Sequence, residues 1–521
     1  MPTAPLPANA DLDKLRETAK LIRDLVRAGD EGAIAMVVEH HPRIDALVVD
    51  GPATTGFALS AAQLVLARHH GFASWPQLKH HVELRRRLAR SPHDQPVGTE
   101  PADDSARADE LLRLACLTYG DADRSRPERA RALLDAHPHL AGASLHTAAA
   151  VGDAASARRL LDAGAAVDEP GGPHAWPPLL YATYSRLPGA DTVAVVRLLL
   201  DAGADPNAGY LWDGYVPPFT ALTGALGGGE RGEPPHPRSL ELAELLLAAG
   251  ADPNDGQAIY NRGMGDLRGD RPGDDTAFLE LLLAHGFGRG EGGPWFELLA
   301  PAMVAPADLM TEALQHAAET GLVQRARLLL DHGGDPNGRC PHPIFGGRTV
   351  YQGAVRGGHA GIVALLEGAG ADRSSVSVVD RLAGACVAGD EATITRLTAA
   401  DGALLDELRA ANPDLVRRAV ELGRADAVPV LVRLGFDVNA GAHGRTALHE
   451  AALAGNTECV RALLDAGADP SLTDDEHEAT PQGWATFAGH PDLANLLAEA
   501  EAEAEAEAEA EAERPRADAS E

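Results

Sequence analysis

Hydrophobic and polar positions follow one recurring phrase along the chain: a Leu-rich run, a Gly, then a short polar turn. It reads Leu160-Leu161-Asp162-Ala163-Gly164, then Leu198-Leu199-Leu200-Asp201-Ala202-Gly203-Ala204-Asp205-Pro206-Asn207, then Leu245-Leu246-Leu247-Ala248-Ala249-Gly250-Ala251-Asp252-Pro253-Asn254. Later copies end at Gly286, Gly333, Gly370, Gly435 and Gly467, so the Gly-to-Gly steps are 39, 47, 36, 47, 37, 65 and 32 residues. The step of 65 divides at a divergent copy near Gly402 into 32 and 33. A basal period of about 33 residues, with insertions of varied size, predicts a stacked array. In each unit the Leu run belongs to a helix, and Gly follows where the chain turns through a left-handed conformation. Asp-Pro-Asn then makes the turn, and an Ala-rich helix opens the next unit. A lone helix pair cannot cover its apolar face, so each unit needs its neighbours. The expected fold is all-α, a solenoid of stacked helix-turn-helix units.

The sharpest copy is Gly444-Arg445-Thr446-Ala447-Leu448-His449-Glu450-Ala451-Ala452, running on to Leu463-Leu464-Asp465-Ala466-Gly467-Ala468-Asp469-Pro470. It resembles the ankyrin-repeat family, whose pattern there is G-x-T-P-L-H-x-A-A; Ala447 replaces the Pro. The resemblance implies that Thr446 caps the first helix of its unit, and that His449 ties adjacent loops, as does His146 in an earlier unit. Thr480-Pro481 keeps the helix start in the last unit, but Gln482-Gly483 stand where Leu-His would be. Pro177-Pro178 and Pro217-Pro218 also sit at helix starts, where Pro is tolerated. The resemblance covers about residues 105–500, roughly eleven helix pairs, and marks Gly203, Gly250, Gly333 and Gly467 as repeat positions. It implies a non-catalytic scaffold that binds another protein through its loops and short-helix face, with no cofactor.

Helical periodicity also marks residues 11–28, 30–40, 59–70 and 74–90, with Ser74 placed to cap the last of these. This stretch resembles a helical segment placed before bacterial ankyrin arrays. It is expected to close the apolar end of the array. The alternatives are a docking module of its own, or the seat of an enzyme-linked regulatory, weak enzymatic or nucleic-acid-binding activity. The last would use Arg85, Arg86, Arg87 and Arg90 beside His80 and His81. Residues 1–10 are expected to be disordered, and 91–104, rich in Pro, Asp and Ser, to form a linker. Residues 501–521 read as an acidic Ala/Glu tail. There Glu at i, i+2 and i+4 repels along every face, so the tail is expected to fray from the last helix.

Composition sharpens this division. Lys+Arg number 45 and Asp+Glu 77, a net charge of −32. Residues 1–100 hold 12 of each sign; residues 499–521 hold 10 acids and 2 Arg, so 101–498 carry 31 − 55 = −24. An acidic array argues against general nucleic-acid binding; its concave face is expected to be acidic and, with the aromatic loop tips, to bind a partner with a basic patch. Aromatics are 4% of the chain, so the apolar mass is mainly Ala, Leu and Val, which suits thin helical layers. The Arg, Ala and Gly bias is that of a GC-rich, bacterial genome. Cys116, Cys340, Cys386 and Cys459 are widely spaced, which fits a reducing, cytoplasmic compartment. Met1–Ala10 lacks signal-peptide character, and no apolar run approaches the ~20 residues of a bilayer span.

Candidate chemistry is sparse. His40-His41, His69-His70 and His80-His81 are pairs, but adjacent His diverge around a helix and do not converge on a metal. His332, Cys340 and His342 lack a fourth ligand at a recognisable spacing. Gly288-Arg289-Gly290-Glu291-Gly292-Gly293 fits GxGxxG but follows a helix and meets Pro294-Trp295, so it reads as a loop. No catalytic or metal residue is assigned. The insertions stand out instead: loops 167–178, 207–219 and 287–307 hold Trp176, Tyr210, Trp212, Tyr215, Trp295 and Phe296. Three of the five Trp therefore lie in loops. Exposed Trp and Tyr make strong binding anchors, so these six are the candidate binding residues; the competing reading folds them back over the layers beneath.

Overall fold

The computed structural model describes residues 6–7, 10–42, 56–93, 103–120, 123, 125–229, 233–264 and 273–512. Most of the expected N-terminal tail and of the 91–104 linker, and the tail beyond Ala512, lie outside the described residues. The described chain is helical almost throughout, an all-α repeat fold. It forms two compact units. One comprises Met1–Gly229, Glu233–Asn261 and Arg289–Pro306; the other comprises Glu230–Gly232, Arg262–Gly288 and Ala307–Glu521.

Among the described residues the first unit opens with four helices: α1 (Leu12–Ala28), α2 (Glu31–His40), α3 (Leu59–His69) and α4 (Trp75–Leu88). Local chemistry sets their ends. The Asp11 side chain accepts from the amides of Asp13 and Lys14, and α1 stops where Gly29 turns left-handed at φ 81°. Ser74 caps α4 through the Gln77 amide. The four helices close on a core of their own. Leu15, Ala19, Ile22 and Val26 of α1 meet Val65 and Leu66 of α3 and Leu78 and Val82 of α4, with Phe57 and Phe72 filling the ends. One element of this module is shared outward. The dipeptide after α4, β1 (Ala89–Arg90), pairs parallel with β2 (Gly209–Trp212), which pairs antiparallel with β3 (Phe219–Thr220).

The repeat layers of this unit stack first helix upon first helix: Leu145–Val151 on Pro178–Tyr184 on Ala221–Leu226. Ala148, Ala149 and Ala150 are wholly buried, because small side chains bring the layers close. Gly224 shows the constraint: a Cβ there would lie 2.4 Å from the Tyr184 ring. Reciprocal capping starts the helices, with Ser144 and Thr147 in one, Thr220 and Thr223 in the next. The second helices end at Gly164, Gly203 and Gly250, with φ of 93°, 92° and 101°.

The polar turns are built by their aspartates. Asp205 Oδ1 accepts the Asn207 amide at 2.9 Å, and Asp252 Oδ1 accepts that of Asn254 at 3.0 Å. Asn207 then reaches the next turn: its Nδ2 donates to Gly250 O at 3.1 Å and its Oδ1 accepts the Asp252 amide at 2.9 Å. His146 Nε2 lies 2.8 Å from Glu169 O, a second tie between loops.

The second unit repeats these devices. Its C-terminal core gathers Leu382, Cys386, Leu408, Val416, Leu431, Leu448, Leu463 and Leu497 among others. Asn337 donates to Gly370 O and accepts the Asp372 amide at 2.7 Å; Asn439 accepts the Asp469 amide at 2.9 Å. Gly333 and Gly467 are left-handed, at φ 99° and 87°. Thr446 opens helix Ala447–Leu453. Its amide donates to His449 Nδ1 at 3.1 Å, while His449 Nε2 lies 3.1 Å from Ala479 O. An accepting Nδ1 requires the proton on Nε2, so the ring is neutral and donates to the carbonyl. Burial holds its pKa below the ordinary histidine value. The Glu/Ala run continues the last helix, Pro491–Ala512.

Replacing His449 with Ala strands the buried Thr446 amide and removes the His449 tie to Ala479 O, which keeps the Asp474 amide as its donor. The expected cost is about 2–4 kcal/mol, read from urea unfolding of the full chain. An unchanged midpoint would mean that the tie between loops is dispensable.

Candidate functional site

The insertions between repeats form a platform in the first unit. Loop 167–178 turns back on its own helix: Tyr181 Oη donates to Gly171 O at 2.9 Å and accepts the His174 amide at 3.1 Å. This drives Trp176 inward, where it is 1% exposed against His174, Tyr184 and Tyr210, at ring distances of 4.6, 5.0 and 5.0 Å. Tyr210 continues the stack to Phe219 at 5.7 Å. The expectation of exposed loop tips is therefore corrected for Trp176 and Tyr210. Thin Ala/Leu layers leave space at an insertion, and large rings fill it.

The remaining four candidates sit nearer the rim. Trp212 is half-buried; its Nε1–H donates to Thr118 O at 3.0 Å, and His93 stacks on it at 4.4 Å. Trp295 is half-buried and donates to Asn207 O at 2.8 Å. Phe296 is half-buried beside Gly292. Tyr215 is 55% exposed, its ring 6.2 Å from that of Trp212. The structure thus joins Trp176, Tyr210, Trp212 and Tyr215 in one chain of rings, fastens Trp295 to the same loop, and leaves Phe296 apart from the ring chain.

What covers the platform is the N-terminal module. β1 lies in register with β2, Ala89 opposite Leu211 and Arg90 opposite Trp212. Leu84 of α4 closes with Leu211 and Leu299 into a small buried cluster, flanked by Leu88, Val216, Trp295 and Met303. Arg85 is 6% exposed; its Nε and Nη2 both donate to Gly214 O, at 2.9 and 2.6 Å. Arg85, Arg86, Arg87 and Arg90 are the arginines that a nucleic-acid contact beside His80 and His81 would need. The structure spends Arg85 on a carbonyl, while Arg86 and Arg87 are exposed. A cavity of about 350 Å³ lies beside this seam, lined by Ala10, Asp11, Val82, Arg85, Arg86, Ala89, Asp213 and Gly214.

Polar side chains do meet here, without the geometry of a reaction. Ser91 Oγ donates to Asp213 Oδ1, and His93 Nε2 lies 3.4 Å from Asp213 Oδ2. The carboxylate stands between hydroxyl and imidazole, so the imidazole does not take the hydroxyl proton as a hydroxyl–His–carboxylate order requires. Asp255 is buried with its carboxylate accepting from the Thr220 and Thr223 hydroxyls and the Ala258 amide. Burial raises its pKa. The adjoining cavity, about 20 Å³ between Asn207, Asp252, Asp255, Trp295 and Met303, has room for one water. Among the described residues no group of three or more His, Cys, Asp or Glu is placed to hold a metal, and His332 Nδ1 is turned onto Leu328 O. His80 and His81 diverge, one exposed and one buried. No helix among the described residues is long and apolar enough to cross a membrane.

Stacked helix pairs, left-handed Gly turns and loop-tying His and Asn residues define a helical repeat array. Residues 416–508 match the family described as Ankyrin repeats (3 copies). The chain is 37% identical over 87 residues to the E3 ubiquitin-protein ligase KEG of Arabidopsis thaliana, covering 16% of this chain and 5% of that protein. It is 37% identical over 102 residues to the Ankyrin repeat domain-containing protein SAT10 of Stachybotrys chartarum, 19% of this chain and 5% of the other. To the Potassium channel AKT3 of Oryza sativa subsp. japonica it is 40% identical over 86 residues, 16% and 9% respectively. The chain thus spans less than a tenth of the length of these relatives. The fold and these likenesses together support an ankyrin-repeat protein.

Two outcomes follow from this packing. Trp176→Ala should cost about 3–5 kcal/mol in unfolding free energy, whereas Tyr215→Ala should stay within about 0.5 kcal/mol; equal costs would contradict the placement of the two rings. Acid should also unfold the first unit early. Burial pushes His174 and His236 down to about 3 and His81 down to about 4, with neighbouring Arg side chains adding to each. These rings are neutral in the fold and charge freely once unfolded, near pH 6.5. Their stabilisation is complete above that value and is lost as pH falls toward 4 and then 3. Denaturant melts at pH 7 and pH 5 should differ by on the order of 2 kcal/mol per ring; identical melts would mean that the rings are hydrated in the fold.

Proposed function

We propose that this chain is a non-catalytic ankyrin-repeat scaffold that binds another protein bearing a basic patch. Binding uses the acidic turn edge and short-helix face of the array, with Tyr215 as an exposed aromatic contact. Ankyrin repeats in general mediate protein–protein interaction, and the match at residues 416–508 brings that role to this chain. The supporting observation is the exposed turn aspartates of each unit. Asp168, Asp205, Asp335, Asp372 and Asp437 are exposed, and within each unit loop-to-loop hydrogen bonds hold successive turns in step. Fixed carboxylates on successive turns of a unit steer and orient a cationic partner. The loop aromatics contribute less than their sequence positions promise, because the N-terminal module and the inner layers cover most of them. Four buried free thiols accord with a reducing, cytoplasmic setting.

Asn accepts the same backbone N–H as Asp, so an Asp205/Asp335/Asp372/Asp437→Asn variant keeps the turns and removes four charges. Affinity capture from native lysate at about 0.05 and 0.5 M salt, a range over which the screening length shortens severalfold, tests the reading. Wild type should lose its specific partner at high salt, and the variant should recover less of it at low salt. Equal recovery of that partner in all arms would remove the electrostatic basis of the proposal.

A further inference from the structure

We propose that the N-terminal module is a latch: α4 and β1 occupy in cis a groove of the insertion that accepts an amphipathic helix ending in a short extended strand, and a partner segment of that chemistry replaces them. The proposal concerns a different surface from the acidic turns and stands without them.

The groove has three recognition elements. One edge of β2 is paired with β3, and the other is open to an incoming strand. That edge takes β1, and the Asp213 amide donates to Arg90 O at 2.9 Å. Beside it lies an apolar seat of Leu211 and Leu299, with Val216, Trp295 and Met303 around them, which receives Leu84 and Leu88 four residues apart on α4. Beyond the seat, Gly214 O receives the Arg85 guanidinium through two donors. Main-chain pairing plus an apolar helix stripe is a recurrent way of binding a segment in trans; here the chain does it to itself.

Two features make this contact releasable. α4 carries separate stripes on its two sides. Leu78 and Val82 belong to the module's own core, while Leu84 belongs to the seam. The module therefore keeps its core when the seam opens. The seam itself is thin: among the described residues its buried apolar cluster is Leu84, Leu211 and Leu299. It also buries the Arg85 charge against neutral carbonyls, Gly214 O and, at 3.5 Å, Leu6 O. A desolvated cation on a neutral acceptor recovers little of its hydration. A clasp closes the outer edge, where Ser91 and His93 hold Asp213 and His93 lies on Trp212.

Hydrogen–deuterium exchange on the full chain tests the latch, using wild type, Arg85→Met, Leu88→Glu and an oxidised Ala89→Cys/Leu211→Cys chain, with a synthetic peptide of residues 75–90 as probe. Arg85→Met and Leu88→Glu should each raise exchange at residues 209–214 by tenfold or more while α1 and α3 stay protected. The added peptide should restore protection at 209–214 in those two variants and leave the disulfide-locked chain unchanged. Three results would overturn the proposal: no rise in exchange in either variant, loss of protection throughout residues 10–93 together with the seam, or equal peptide binding to the locked chain.

Discussion

The apolar face of each helix pair in this chain is wider than the pair can cover, and the structure is organised around covering it. Layers must approach closely, so the first helices are written in Ala and Gly. At Gly384 a Cβ would fall 1.9 Å from Val355 O, and no side chain fits between those backbones. Close layers in turn bring the loops within reach of one another. Asn207, Asn337 and Asn439 then bond the following turn, and His146 and His449 bond a carbonyl 23 and 30 residues ahead. The polar ties are thus a consequence of small-residue packing. Enlarging a buried Ala would loosen hydrogen bonds several ångströms away.

Insertions add space beside close-packed layers, and small side chains do not fill it. The first unit answers with rings and with arginine. Trp176, Tyr181, Tyr184 and Tyr210 take up the volume. Arg186 donates to the carbonyls of Thr183, Ser185, Gly224, Gly227 and Pro234, gathering two helix ends and a loop on one planar group. The same insertion then supplies a strand edge and an apolar seat, and the N-terminal module settles there.

Most of the fold was legible because the deciding interactions are local. Ser74, Thr446 and the left-handed glycines act within three or four residues of themselves, and the spacing of Thr446 and His449 states a cap and a tie. The helices at Leu12–Ala28, Glu31–His40, Leu59–His69 and Trp75–Leu88 lie where the apolar periodicity puts them. The site was half legible. Aromatic bias located the insertions, yet exposure depends on partners far along the chain: Arg85 and Gly214 are 129 residues apart, and no period links them. A faint signal existed. Leu84 and Leu88 form a second stripe on α4, out of phase with Leu78 and Val82, and a helix with two apolar sides has two neighbours. Nothing comparable marks Asp255, whose hydroxyl partners come from a helix start more than thirty residues earlier.

The bonding between successive turns has an evolutionary corollary. Asn207 finds the next turn 43 residues on and Asn337 finds it 33 residues on, through the same two hydrogen bonds. The register of the stack is therefore blind to how much chain lies between turns. Genetic insertion or loss of a dozen residues at such a place alters surface without rewriting the neighbours. The uneven spacing of the glycines reads as a record of that tolerance, and new binding chemistry can enter the lineage one loop at a time while the layered frame persists.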